Sequence, residues 1–339
     1  MTIASESRRH RRDSNATQQT LKQYDIDMID QSKVSRNDEA DFGAAEIAEA
    51  DRLIDQALAE DLGDRGDATG SALIPLGARG EAAIVARRSG IVAGLPVVEL
   101  LAKKLDLELK RVGGFRDGAR VEPGKPVAIL AGAITNLLIA ERTALNFLQR
   151  LSGIASLTDR FVAAIAGTKA RILDTRKTTP AHRKLEKYAV RKGGGTNHRF
   201  GLFDAILIKD NHLAWLGDGP NAIEIAVKRA RESAPAGMIV EIEVDSLDQF
   251  DRTIHTDADI ILIDNFSLMD TVEAVRRLER SGSRALIEAS GGISLENVAA
   301  IAATGIDRIS VGALTHSARA LDLGLDFPSH RPQESNPSY

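Results

Sequence analysis

The sequence contains no cysteine. That excludes disulfides, thiolate metal sites and cysteine nucleophiles, and it fits an intracellular home. No apolar run reaches the roughly 18 residues expected of a membrane span. A large excess of one charge is also missing. The net charge is −4, which argues against a general nucleic-acid or membrane binder and makes any basic cluster a local feature. No GxGxxG follows the first strand-like run of the alternating region described below, which disfavours a dinucleotide fold. What remains is an ordinary soluble composition, 43% hydrophobic and 27% charged over 339 residues, long enough for two domains or for a barrel with a smaller companion.

The chain changes character along its length. Residues 1–44 carry RRHRR at 8–12, then polar residues and mixed charges with no periodic apolar pattern; they read as a flexible tail. A targeting peptide would need an apolar segment or a shortage of acids, and neither is there. A nucleic-acid-binding arm is the lesser reading, because the acids at 25–41 offset the bases. EIAEADRLIDQALAEDLG then places Ile47, Leu53, Ile54, Ala57 and Leu58 at helical spacing and closes on Gly63. To about 132 the pattern is short strands punctuated by Gly and Pro. ITNLLIAERTALNFLQRLSGIASLTDRFVAAIAG (134–167) reads as a long helix, interrupted at Ser152–Gly153.

Beyond it, strand-length apolar runs recur at 169–176, 203–212, 238–246, 258–266, 284–293 and 307–314, most of them separated by amphipathic helix patterns. Alternating strands and helices imply parallel strands. Six units, with a seventh strand supplied from elsewhere, suit a closed or nearly closed β/α barrel. Nearly every run ends in polar groups: Asp174, Arg176 and Lys177; Lys209, Asp210 and Asn211; Glu241 and Glu243; Asp264 and Asn265; Glu288 and Ser290. In such folds these ends converge on one mouth, where active sites lie. One buried carboxylate per strand would pass as a structural ion pair; a set on five strands does not.

Two stretches add an anion-binding character. In TTPAHRKLEKYAVRKGGG, Thr179 is the expected N-cap, Pro180 the first helical residue and Gly193–Gly195 the end, so TRKT sits at a strand-to-helix turn. EASGGIS and SVGALTHS close the last two units with small residues that let backbone amides approach a phosphate. Basic groups, acids and a phosphate loop at one mouth suit a highly anionic substrate pair with a divalent cation. A Schiff-base role for Lys209 is the lesser reading of that lysine.

Taken in order, ERTALNFLQRLSGIAS, LDTRKTTPAHRKLEKYAVRKGGGTNHRFGLFDAILIKDNH, EIEVDSL, ILIDNF, EASGGI and ISVGALTHS resemble the quinolinate phosphoribosyltransferase family, from about residue 60 to 327. The resemblance implies an α/β fold of the type II phosphoribosyltransferase kind, an incomplete β/α barrel over 150–314 with an N-terminal α/β layer domain over 45–149, completed by residues 315–330, and a tail over 331–339. It implies a cytoplasmic enzyme of NAD biosynthesis that joins quinolinate to phosphoribosyl pyrophosphate with Mg²⁺ and releases nicotinate mononucleotide, pyrophosphate and CO₂. It also implies a homodimer, or a multiple of dimers, with shared sites and no nucleic-acid or membrane partner. Carried over by position, Arg142, Thr175, Arg176, Lys177, His198, Arg199 and Lys209 match substrate-binding positions, with Arg142 reaching the neighbouring subunit's site. Glu243 and Asp264 match the acids near ribose and metal, directly or through water, and Ser290, Gly291, Gly292, Val311, Gly312 and Ala313 match the phosphate loops. Lys177, Lys209, Glu243 and Asp264 are the expected catalytic set. KDNH with TNHR favours this reading over a divergent phosphoribosyltransferase of the molybdenum-locus type. The density of costly buried charge argues against a catalytically silent barrel.

Overall fold

The structure is a computed structural model that describes residues 42–217 and 221–328. The expected tails lie outside these residues, except that 42–44 lead into the first helix. The strands in chain order are β1 (Arg79–Ala86), β2 (Gly90–Ile91), β3 (Glu108–Arg111), β4 (Arg120–Val121), β5 (Pro126–Ala133), β6 (Arg171–Leu173), β7 (Ile206–Ile208), β8 (Val240–Val244), β9 (Ile260–Asp264), β10 (Leu286–Ser290), β11 (Arg308–Ser310) and β12 (Leu323–Asp326). The described residues form two compact units, 42–153 with 320–328, and those within 154–319.

In the first unit, four antiparallel strands run in the order β12-β1-β5-β3, beside a two-stranded β2-β4 pair. The C-terminal strand β12 pairs with β1 through Ala83–Asp326 to Ala86–Leu323, so the last described residues return to complete the N-terminal sheet. Ala83, Val85, Val112 and Ile129 pack as a buried cluster. The helix Ala44–Leu62 buries Ala50, Leu53 and Ile54 and ends at Gly63, whose φ of 49° suits a residue without a side chain.

The helix Ile134–Ala164 runs unbroken through the sequence at which an interruption is expected. Ser152 is compatible with it because its buried hydroxyl accepts the Ala93 N–H at 3.0 Å. Gly153 is held by the surrounding helix, at a cost of about 1 kcal/mol relative to alanine.

The second unit is a six-stranded, all-parallel sheet in the order β6-β11-β10-β9-β8-β7. All six expected strand runs are present, and each ladder is parallel. Closure does not occur. β6 pairs with β11 and β7 with β8, which leaves a seam between β6 and β7, and no seventh strand joins the sheet among the described residues. The barrel is incomplete. β7 lies at the edge, with Ile206 and Leu207 only half-buried, whereas β9 is central and buries Ile260, Leu262 and its neighbours. Central parallel strands are covered on both faces and need continuous apolar runs.

Local sequence explains the helices that cover this sheet. Leu268–Ser281 buries Thr271, Ala274, Val275 and Leu278, a single stripe at i, i+3, i+4 and i+7. Ser267 accepts the Asp270 N–H at its start, and Gly282 at φ 70° ends it. No helix among the described residues is long and apolar enough to cross a membrane.

Candidate active site

The site is built from the C-terminal ends of the parallel strands. β6 runs into Asp174-Thr175-Arg176-Lys177. Here the helix begins at Arg183 with His182 as its cap, three residues later than Pro180 predicts. Ala181 at φ 65° breaks the helical path, and Thr179 is held from a distance. Its N–H and hydroxyl donate to the Glu186 carboxylate at 3.1 and 2.8 Å. The helix therefore still anchors the TRKT turn, through a side chain reaching back rather than through an N-cap.

Arg183, on the first turn of that helix, donates to Thr178 Oγ1 (3.1 Å), the Phe200 carbonyl (2.9 Å) and the Arg176 carbonyl (3.4 Å). It ties the two loops that carry Arg176 and Arg199. One turn on, Lys187 is fully buried and donates to Asp174, equally buried, at 2.5 Å and to the His198 carbonyl at 3.0 Å. Asp174 also accepts the His198 N–H (2.8 Å) and Asn197 Nδ2 (2.6 Å). Burial raises the Asp174 carboxyl and lowers the Lys187 ammonium. The three donors on Asp174 act against its burial by favouring the ionised carboxylate.

The three glycines end this helix as expected and also permit a close approach. A Cβ on Gly193 would stand 2.3 Å from the Ala155 carbonyl oxygen, and Gly194 lies at φ 85°.

His198 sits over two acids from neighbouring strands. Its Nε2 is 3.1 Å from Glu241 of β8 and 3.3 Å from Glu288 of β10. Glu288 is buried; it accepts Arg308 Nε at 2.6 Å and the Ser310 hydroxyl, both from β11. Burial pulls His198 down, but the two carboxylates outweigh it and raise the imidazole to about 9. The second proton would have to enter at Nδ1, which already accepts the Arg199 N–H at 2.8 Å. That amide can only donate, so Nδ1 is the acceptor and a ring proton sits at Nε2, facing the two acids. Burial raises the Glu241 carboxyl, against the pull of His198. Glu288 is held low, despite its burial, by His198 and Arg308.

Glu241 and Glu243 share one side of β8, as their spacing requires, but serve different partners. Glu243 pairs with Lys209 at the end of β7. It also lines an open cavity of ≈ 400 Å³ with Asp264, Asp210, Asp245, Gln249 and Arg252. Asp264 ends β9 and accepts Asn265 Nδ2 at 2.7 Å.

The small-residue loops meet these elements. Ser290 accepts the Asn265 N–H at 2.9 Å, and Val311 donates to Leu173 at 2.9 Å. The Lys177 side chain lies over Gly312, and Thr315 donates to the Lys177 carbonyl at 2.8 Å. Thr175 Oγ1 accepts the Lys177 N–H at 3.0 Å. Ala313 opens the short helix Ala313–His316. Gly291 is at φ 86°, and a Cβ there would stand 2.2 Å from Asn265 Oδ1 and 2.8 Å from its nitrogen. Gly291→Ala is expected to lower stability by about 2 kcal/mol or more and to displace Asn265 from its bond to Ser290; thermal unfolding and a crystal structure of the variant check this.

Arg176 and Arg199 face each other's charge. Burial and, after it, the Arg176 guanidinium lower Arg199. Arg176 Nε is buried without a protein hydrogen-bond partner. A desolvated donor beside a second cation is an arrangement that an anion completes.

Most expected residues of the second unit follow the C-terminal ends of its strands, while His198 and Arg199 lie in the loop between the helix Arg183–Lys192 and β7. Arg142 belongs to the first unit, where it is exposed on the helix Ile134–Ala164. The expected site set did not include Glu241, Glu288, Lys187 or Arg183. For the first two, a carboxylate inside an apolar run was the available signal. For the other two it was only the i, i+4 spacing of two cations on one amphipathic helix.

A profile of the quinolinate phosphoribosyl transferase C-terminal domain matches residues 154–326, and one of the N-terminal domain matches 67–152. The chain is 46% identical over 280 residues to the nicotinate-nucleotide pyrophosphorylase [carboxylating] of Mycobacterium leprae, covering 81% of this chain and 95% of that protein. It is 40% identical over 285 residues to quinolinate phosphoribosyltransferase [decarboxylating] 1b of Nicotiana tabacum, covering 80% and 81%. The solved nicotinate-nucleotide pyrophosphorylase of Francisella tularensis matches with a TM-score of 0.76 at 37% identity, over 83% of this chain and 96% of that one. On its matched domains, its relatives and its open parallel sheet, the chain belongs to the quinolinate phosphoribosyltransferase family.

Proposed function

We propose that the protein is a carboxylating nicotinate-nucleotide pyrophosphorylase, a pentosyltransferase of NAD biosynthesis. It joins quinolinate to phosphoribosyl pyrophosphate and yields nicotinate mononucleotide, pyrophosphate and CO₂. The observation that carries this reading is the adjacent pair Arg176 and Arg199 with the buried, unpartnered Nε of Arg176. Two guanidinium forks match a planar compound with adjacent carboxylates.

The residues supply the chemistry as follows. Arg176, Arg199 and Lys209 hold the carboxylates so that the ring nitrogen faces C1 of the ribose, an orientation effect. Departure of pyrophosphate gives C1 oxocarbenium character, which the Glu243 and Asp264 carboxylates stabilise. Lys177, lying over Gly312, neutralises phosphate oxygens together with Ser290–Gly292 and Val311–Ala313. Once the C–N bond forms, the cationic ring nitrogen stabilises the carbanion left at C2 as CO₂ departs, and the pair stays on C2. A proton then completes the product, so no separate electron sink is needed.

Two carboxylates on one open cavity fit a hard, oxygen-liganded cation. Glu243 and Asp264 would hold Mg²⁺, directly or through water, and the ion would supply charge neutralisation to the pyrophosphate. We place the enzyme in the cytoplasm as a homodimer, with Arg142 serving the neighbouring subunit's site. The exposed Leu202, Phe203 and Trp215 offer apolar surface for such an assembly.

The test is nicotinate mononucleotide formation by purified protein with quinolinate, phosphoribosyl pyrophosphate and Mg²⁺, with nicotinate as control. Turnover of quinolinate alone is expected, lost on chelation and restored by Mg²⁺. No turnover by folded, dimeric protein refutes the assignment.

A further inference from the structure

The two arginines on which the proposed reaction depends stand on different segments of the chain. Arg176 follows β6, and Arg199 lies in the loop between the helix Arg183–Lys192 and β7. At their bases the two segments are joined through Asp174, which accepts the His198 N–H at 2.8 Å and Asn197 Nδ2 at 2.6 Å. Beyond that point like charge pushes them apart: after burial, the Arg176 guanidinium is what lowers Arg199. A tie at this outer level has to work against that repulsion.

Arg183 is such a tie. It lies in the chain between the two segments, at the head of its helix. On one side Nε donates to Thr178 Oγ1 at 3.1 Å and Nη2 to the Arg176 carbonyl at 3.4 Å. On the other, Nη1 donates to the Phe200 carbonyl at 2.9 Å. All three partners are neutral oxygens, so the fork serves geometry rather than charge neutralisation. Donors fixed in one plane set the spacing of two segments, which the rotating point charge of a lysine does not do.

Neighbouring groups have anchors of their own. Asp204 accepts the Phe200 and Gly201 N–H groups at 2.7 and 2.9 Å, which shapes that loop without joining it to the other segment. Lys177 donates its N–H to Thr175 Oγ1 at 3.0 Å, and its carbonyl accepts Thr315 Oγ1 at 2.8 Å. The lysine assigned to phosphate is thus held independently of Arg183.

We infer that Arg183 is a positioning residue for quinolinate: its fork fixes the spacing of the segments that carry Arg176 and Arg199, so that both guanidinium groups meet the adjacent carboxylates at once. The inference rests on the reaction proposed above and gives Arg183 no contact with substrate.

The test is steady-state kinetics of full-length Arg183→Met and Arg183→Lys with each substrate varied in turn. Both variants are expected to raise KM for quinolinate about tenfold, because a small misplacement of binding groups is costly. KM for phosphoribosyl pyrophosphate should change by less than about twofold, since Lys177 keeps its bond to Thr315. Recovery in Arg183→Lys would show that only charge mattered and would overturn the inference. A parallel rise in both KM values would mark a merely structural role and overturn it too. In an Arg199→Ala background, Arg183→Met should lower kcat/KM for quinolinate by less than about twofold, because no second guanidinium is left to align. A further loss of about tenfold there would put Arg183 on the substrate itself, against the inference.

If the Arg183 variants do not fold, Thr178→Val decides, as it removes the Nε acceptor and keeps the side-chain shape. It should raise KM for quinolinate about threefold, the effect of one hydrogen bond, and an unchanged value counts against the tie. A wild-type protein that turns over no quinolinate removes the proposed reaction and this inference with it. Wild-type turnover together with an unchanged KM in Arg183→Met refutes this inference alone.

Discussion

Arg176→Ala is expected to lower kcat/KM for quinolinate by about 10²-fold or more, corresponding to roughly 3 kcal/mol, and to leave the fold intact. The magnitude is that of removing one partner from a desolvated, charge-assisted contact. The fold is expected to survive because the Arg176 Nε bonds to nothing in the protein. Its backbone carbonyl, which Arg183 holds at 3.4 Å, remains in the variant. Removing Arg176 also relieves the charge that lowers Arg199, so thermal stability should stay the same or rise slightly. Arg176→Lys should rescue little, since lysine offers a point charge in place of a planar fork and has no Nε–H. Steady-state kinetics with each substrate varied in turn checks the result. A variant with near-wild-type kcat/KM for quinolinate would remove Arg176 from the binding set.

The second large effect is on stability. Lys187→Met should destabilise the protein by about 3–5 kcal/mol, because it strands a buried carboxylate. Asp174 and Lys187 are both fully buried, and the lysine also serves the His198 carbonyl. Methionine matches the lysine stem in length but leaves Asp174 with only Asn197 and the His198 amide. Part of the loss is recovered if Asp174 takes up a proton, which burial already favours. The paired replacement Asp174→Leu with Lys187→Met should therefore cost less than Lys187→Met alone, since no charge is left unpaired. Urea unfolding midpoints of the two variants test the ordering. Equal or greater loss in the pair would mean that the bonds to His198, rather than the unpaired charge, dominate.

The same contrast shows how far residue patterns reach. The strand and helix units of residues 169–314 follow from local causes: apolar runs of strand length, stripes at helical spacing, and Gly or Ser at their ends. Such signals act within one element, so they survive in any tertiary setting. The ionisable groups at the strand termini were legible for the same reason, because a carboxylate after IIL in β9 or within VEIEV in β8 has no local use. TTPA misled because Pro at a helix start is a statistical preference, and Ala181 at φ 65° overrides it. Ser152–Gly153 misled because propensity yields when a buried hydroxyl finds a partner, here the Ala93 backbone.

The amino-acid sequence by itself thus determined the family, the six parallel units and the end of the sheet at which the chemistry gathers. Only the tertiary structure decided the partners. It sends Glu241 to His198 and Glu243 to Lys209, although the two glutamates lie on one side of one strand. It buries Lys187 against Asp174 and leaves the seam open between β6 and β7. Pairing between distant elements depends on strand order and on how deep each position lies, and neither quantity is encoded in any local window of the chain.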